Sequence, residues 1–292
     1  MYFDEDVVLE ARLNILDKWI DKFIIIESAY THSGKKKNLL FKLENFKKFE
    51  NKIHYTVCNQ LPKNLENLVN NKDLNDQIKT RNAVRIENFQ RNFIMNSLKE
   101  CTPDQNDLVL ISDIDEIPNL EPLNLENINN NLIFFMQRFF YYKFNLENIN
   151  MHWSGTRMCK FKNLKSPQWL RNIKSKKYPF WRLDIFFDQK RYSNIVFVQN
   201  GGWHFTYIKD IKGIRRKLEN YLHHVEFDLN PMTDNQIKNL VENHKILYDH
   251  SLDKTVLNKF ETGKKLVTVD LSSLPEYFTI NKEKISKWLE VN

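Results

Sequence analysis

The sequence predicts an α/β fold: a mostly parallel central sheet flanked by helices, followed by a helical C-terminal segment. Two observations carry this. Short β-branched apolar runs stop at polar or acidic residues, Phe23-Ile24-Ile25-Ile26 before Glu27-Ser28 and Leu108-Val109-Leu110-Ile111 before Ser112-Asp113, and segments of helical period lie between them. The third observation is bulk: a chain of 292 residues, 41% of them hydrophobic, buries roughly three quarters of its unfolded surface.

The elements follow in order. Leu9, Leu13, Leu16 and Ile20 recur at helical spacing and predict an amphipathic helix. Phe23 to Ile26 is too short and too β-branched for a helix and reads as a buried strand. After the polar loop Thr31-His32-Ser33-Gly34-Lys35-Lys36-Lys37, a second short strand is expected at Ile53 to Val57, and residues 62–78, rich in Asn, Asp and Lys, read as a surface excursion. A helix is expected from Thr80 to Leu98, with Glu87 and Arg91 one turn apart on it. Pro103-Asp104 breaks it, and a strand at Leu108 to Ile111 runs into Asp113-Ile114-Asp115-Glu116-Ile117-Pro118. The aromatic run from Leu132 to Phe144 reads as a strand or a strand pair, and the segment up to Gln199 as Trp, Tyr and Arg mixed with turns. A strand at Ile195 to Val198 leads to Asn200-Gly201-Gly202-Trp203-His204-Phe205, then a helix from Asp210 to His223, then short helices to the end. No internal repeat or linker interrupts this order.

Composition excludes several classes. With 6 Gly in the chain, a glycine-lined nucleotide cradle is disfavoured, because such loops need several positive-φ residues. The balance of 44 Lys+Arg against 37 Asp+Glu gives a net charge of +7. The lysines are scattered among acids rather than gathered on one element, so they read as solvated surface charge and no nucleic-acid partner is expected. Cys58, Cys101 and Cys159 show neither a zinc spacing nor a disulfide framework. No apolar stretch is long enough to span a bilayer and no secretory leader is evident, so the expected location is cytoplasmic.

Chemistry concentrates at Asp113, Asp115 and Glu116. Three carboxylates within four residues at a strand end repel one another unless a cation or solvent answers them. Asp113 and Asp115 offer hard oxygen ligands to Mn²⁺ or Mg²⁺, which would bridge a diphosphate and replace the missing glycine cradle. The plainer reading is a surface turn capped by Asp and stopped by Pro; the apolar strand before it favours the metal site. In Gly201-Gly202-Trp203-His204, the glycines allow the backbone to fold tightly against a ligand, the Trp offers a stacking face for a sugar, and the His is a hydrogen-bond donor or metal ligand. The plainer reading of His204 is a structural histidine. Glu10 and Arg12 read as a helix-surface charge pair, and Glu87 and Arg91 as a phosphate clamp or a plain salt bridge. His223, His224 and Glu226 are read as closing a helix, and Asp184, among aromatic residues, as a candidate general base.

These residues resemble glycosyltransferase family 17, which includes the enzymes that add bisecting N-acetylglucosamine to glycoproteins. The resemblance runs through Glu5 and Leu9-Glu10-Ala11-Arg12-Leu13, Ile26-Glu27-Ser28, the Thr31 to Lys37 loop, Glu87 with Gln90-Arg91-Asn92, Ser112 to Pro118, Gly202-Trp203-His204-Phe205, Lys217, His224-Val225-Glu226 and Leu274-Pro275-Glu276-Tyr277. The family's Phe in the second position of the Thr31 loop is His32 here. The resemblance implies a GT-A-type fold in one catalytic domain. Residues 1–120 would form a nucleotide-sugar-binding half, 121–230 an acceptor side and 231–292 a helical segment. It further implies a UDP-sugar donor, UDP-N-acetylglucosamine by preference, a glycan acceptor, and inversion at the anomeric carbon. Asp115, with Asp113 and His204, would hold the metal; Glu27, Ser28, Lys37, Glu87, Arg91 and Asp113 would face the donor; Trp203 and His224 would face the acceptor. Glu226 or Asp184 would take the acceptor proton, with His204 as the further catalytic candidate. The competing reading is a non-catalytic carbohydrate- or nucleotide-sugar-binding protein descended from a transferase.

Overall fold

The computed structural model describes residues 1–176, 192, 194–252, 256 and 258–291. The first helix, α1 (Asp6–Leu16), buries Leu9, Leu13 and Leu16 as the stripe requires, and ends before Ile20. Strands β1 (Phe23–Ser28) and β2 (Ile53–Cys58) pair in parallel as a two-stranded sheet. Between β2 and the next strand runs α2 (Lys72–Glu100), longer than the sequence implied: residues 72–78 belong to the helix, started by the Asn71 side chain accepting the Leu74 backbone N–H.

Among the described residues the larger sheet has seven strands. They are β3 (Leu108–Ile111), β4 (Glu116–Pro118), β5 (Leu132–Tyr141), β6 (Leu146–Lys160), β7 (Ile195–Val198), β8 (Gly202–Thr206) and β9 (Val267–Thr268). The order is β3-β6-β5-β8-β4, with β7 also against β5 and β9 against β6. This corrects the expectation of a mostly parallel sheet. β5 runs parallel to β7 and β8, but the β3–β6, β4–β8, β5–β6 and β6–β9 pairs are antiparallel. The physical cause is β6, a 15-residue strand that the sequence hides. Glu147, Asn148 and His152 interrupt its apolar pattern, and two register shifts against β5 break its alternation. Only residues 142–145 separate β6 from β5, and so short a connection forces the pair antiparallel.

Helices cover both faces of this mixed sheet. Along β5, Ile133 and Phe135 face an apolar cluster shared with Leu9 and Leu13 of α1, whereas Leu132 and Phe134 face Leu98 of α2 and Leu170 of α3 (Pro167–Asn172). A third cluster joins Phe139 and Tyr141 to α4 (Ile211–Asn220), α5 (His224–Leu229) and α6 (Asp234–Glu242). The last helix, α7 (Glu276–Ile280), seats Phe278 beside Phe144 and Phe205, in the cluster that also holds Leu9 and Leu13. His224 and Glu226 do not close the preceding helix as expected. α4 ends at Asn220, and both residues lie in the first turn of α5.

Candidate active site

A cleft of about 200 Å³ opens where β1 and β3 end. Ser28 ends β1, Asp113 and Asp115 lie in the turn that joins β3 to β4, and Glu87, Gln90 and Arg91 share one face of α2 at three- and four-residue spacing. Lys217 and Tyr221 come from α4 and its end, and Glu5, Tyr30, Thr31, His32 and Lys37 complete much of the wall.

The acidic turn is held by cations from four helices, α1 to α4. Asp113 faces two guanidiniums, Arg91 at 3.3 Å and Arg171 at 3.1 Å. Asp115 faces the Lys217 ammonium at 3.0 Å and His204 Nε2 at 3.4 Å. Glu116 is buried, with 1% of its surface exposed; Arg171 donates to both of its oxygens at 2.7 and 2.8 Å, and Trp153 Nε1 donates to one at 2.7 Å. Glu116 also accepts the backbone N–H of Asp113 at 3.0 Å, closing the turn on itself. Arg12 donates to the carbonyls of Asp113 and Glu116 and to the Ser112 hydroxyl. It is therefore not half of a helix-surface pair with Glu10, which instead meets Lys284.

These contacts set the protonation states. Burial opposes ionisation of Asp113, but Arg91 and Arg171 overcome it and hold its carboxyl well below the usual range. Burial likewise opposes the charge on Asp115, and Lys217 and His204 reverse the outcome. In return, Asp115 and Glu5 lift the Lys217 ammonium above its ordinary value against burial. Glu5 goes the other way: desolvation raises its carboxyl, with Lys217 opposing. Burial lowers the His32 imidazole, whose Nδ1 is buried with no hydrogen-bond partner among the described residues.

The sequence-predicted residues divide by position. Ser28, Lys37, Glu87, Arg91, Asp113 and Asp115 all line the cleft. Glu27 sits behind it, fully buried, accepting from Lys37, from the backbone N–H groups of Leu40 and Phe41, and from the Tyr55 hydroxyl. His204 stands beside Asp115, its ring stacked on Trp153 at 5.0 Å. Trp203, its neighbour on β8, points to the other face of the sheet and packs against the cluster containing Ile117 and Leu120. The glycine pair also serves the fold rather than a ligand surface: a Cβ at Gly201 would meet Met136 N at 2.7 Å, and one at Gly202 would meet Asn119 N at 2.7 Å. Glu226 lies on α5, bonded to His223 Nδ1 at 2.9 Å and to the Tyr248 hydroxyl at 2.7 Å, and His224 Nδ1 faces the Tyr221 carbonyl at 3.0 Å. Asp184 falls outside the described residues. Arg171 was not singled out from sequence, and nothing around Trp169-Leu170-Arg171 marks it, because its partners lie 55 and 58 residues away.

The family model for glycosyltransferase family 17 matches residues 1–286. The chain belongs to glycosyltransferase family 17. No curated protein and no solved structure matches it. The family membership makes this chain a glycosyltransferase. No helix among the described residues is long and apolar enough to cross a membrane.

The donor set can be tested against the divalent ion that the resemblance implied. Among the described residues no three His, Cys, Asp or Glu side chains converge on a point where a metal would sit. Mg²⁺-type sites, however, use one or two carboxylates, with substrate phosphates and water supplying the rest. Asp113 and Asp115 meet that requirement: both are held ionised, both line the cleft, and the Asp113 side chain is 32% exposed.

Proposed function

We propose that this family 17 chain is a GT-A-type inverting transferase. It moves a sugar, N-acetylglucosamine by the resemblance, from a UDP-sugar to a hydroxyl of a glycan acceptor. The observation that carries the reading is the pair Asp113 and Asp115, ionised at the mouth of a cleft that also presents Arg91 and Lys217. Arg91 and Lys217 would meet the diphosphate, and Ser28 and Gln90, already bonded to each other at 2.9 Å, would face the nucleoside. Asp113 and Asp115 would hold Mn²⁺ or Mg²⁺, which when bound supplies charge neutralisation for the departing UDP. His204 would keep Asp115 oriented from the side of β8.

Transfer with inversion is a single displacement: the acceptor oxygen bonds to the anomeric carbon as the bond to UDP breaks, and the acceptor proton passes to a carboxylate. Glu226 is the described candidate. Burial disfavours its charge, but His223 and Tyr248 hold its carboxyl below the usual range, so it is ionised and able to accept. Asp184 remains the other candidate for that step.

The test is UDP release from a panel of UDP-sugars, with and without Mn²⁺, by the wild type and by Asp115→Ala. The expected result is metal-dependent turnover that falls on the order of 100-fold or more in the variant. Turnover that ignores the metal, or an unaffected Asp115→Ala, overturns the assignment of these carboxylates.

A further inference from the structure

Residues 35–48 leave the rim of the cleft and cross the surface between β1 and β2. Leu39, Leu40 and Leu43 are 46%, 38% and 39% exposed. Around them Lys35, Lys36, Lys42, Lys47 and Lys48 are exposed as well, and Glu44 is the single acid in the span. Lys35, Lys36, Lys42 and Lys47 make no ion pair among the described residues, whereas Lys37 is engaged by Glu27.

The leucines are held outward rather than left on a loose loop. The buried Glu27 carboxylate accepts the backbone N–H of Leu40 at 2.8 Å and of Phe41 at 3.1 Å. Phe41 stacks on Tyr55 and Phe46, and Phe46 and Phe49 are buried. The apolar residues the segment needs for its own anchoring are thus already inside, and three leucines remain outside in a stretch whose Lys35, Lys36, Lys42 and Lys47 have no ion-pair partner among the described residues.

We propose that this segment docks the protein on an anionic bilayer surface. The leucines enter the boundary between headgroups and acyl chains, and the lysines meet the lipid phosphates. Charge selects this occupant. A second copy of the chain would bring a like-charged rim against the first, and a nucleic acid would give the three leucines nothing apolar to enter. A second exposed apolar group, Leu68, Val69 and Leu74, lies in a stretch where Glu66, Asp73 and Asp76 balance Lys63, Lys72 and Lys79, so it has no such preference. Because Lys37 of the same loop lines the cleft, docking sets the cleft beside the bilayer. The docking itself does not depend on the glycosyl-transfer reading.

The experiment is co-sedimentation of the full chain with phosphatidylcholine vesicles and with vesicles that also contain phosphatidylglycerol, over a series of salt concentrations, with a thermal melt of every variant. Binding is expected to the anionic vesicles only, and to weaken with salt. Lys35→Gln/Lys36→Gln/Lys42→Gln should lose about fivefold in partitioning per lysine removed. Leu39→Ser/Leu40→Ser/Leu43→Ser should lose about tenfold or more, and Leu68→Ser/Val69→Ser should bind as the wild type does. The proposal is overturned by absence of binding to anionic vesicles, by equal binding to neutral ones, or by lysine and leucine variants that both melt and bind as wild type. Self-association in light scattering that only the leucine variant abolishes would assign the face to a second copy instead.

Discussion

Replacing Arg171 with methionine removes the cation that ties together the two halves of the acidic turn. Its side chain is 12% exposed and that of Glu116 1%, so the bidentate pair lies in a region where water answers neither charge once its partner is gone. The methionine fills much of the volume but leaves the Glu116 carboxylate with only the Trp153 N–H at 2.7 Å and the Asp113 backbone N–H at 3.0 Å. Breaking one side of a buried pair of this kind costs about 3–5 kcal/mol. The loss at Asp113 adds little, because Arg91 stays beside it at 3.3 Å and the carboxylate is partly solvated. Urea unfolding followed by tryptophan fluorescence at neutral pH should show the midpoint drop with the slope unchanged. Arg171→Met/Glu116→Gln should cost less than the sum of the two single changes, with a coupling of about 1–3 kcal/mol. A single-variant cost below about 1 kcal/mol, or strict additivity in the double variant, would refute the view that this pair holds the turn.

Two other outcomes are expected. Gly202 has φ of +122°, and a Cβ there would overlap the Ile117 carbonyl and come within 2.8 Å of Pro118 Cα; Gly202→Ala should therefore separate β4 from β8 and destabilise the fold by several times the ~1 kcal/mol of a typical substitution, measured by the same urea titration. His250, packed against Tyr248 at 4.7 Å and Trp153 at 5.4 Å, has its imidazole pushed down to about 3 by burial and by the neighbouring His204 and His223. Its unfolded counterpart binds a proton near the ordinary value of about 6.5, so the stability it contributes is complete above that pH and is lost on acidification toward 3. The slope is at most about 1.4 kcal/mol per pH unit, and His250→Phe should flatten the pH dependence of the melting temperature in that window; an unchanged profile would show that the ring does not titrate this way.

Much of the candidate site was legible because the signals are local. A β-branched run that stops at Ser28, another that stops before Asp113, and Glu87, Gln90 and Arg91 on one helix face each follow from spacing within a few residues. That these ends meet at one cleft was set by tertiary packing, since β1 belongs to the two-stranded sheet and β3 to the seven-stranded one. The long strand β6 was not legible, because its polar residues break the two-residue alternation that would have marked it. Trp203 could not be placed from its motif either: which face of β8 it takes depends on the register with β4, where Ile117 rather than Glu116 stands opposite it.

The sequence by itself determined that three carboxylates would crowd one strand end and need an answering charge, since that follows from covalent proximity and Coulomb repulsion alone. It also determined the family, through short motifs spread in order along nearly the whole chain. Only the tertiary structure decided what answers the charge: Arg171 from 58 residues beyond Asp113, and Lys217 from 102 residues beyond Asp115. The physical reason is that a buried carboxylate fixes the sign of its partner and the distance to it, while the position in the chain that supplies the partner is set by how strands and helices pack. Of the forces here, that packing leaves the faintest trace in local sequence.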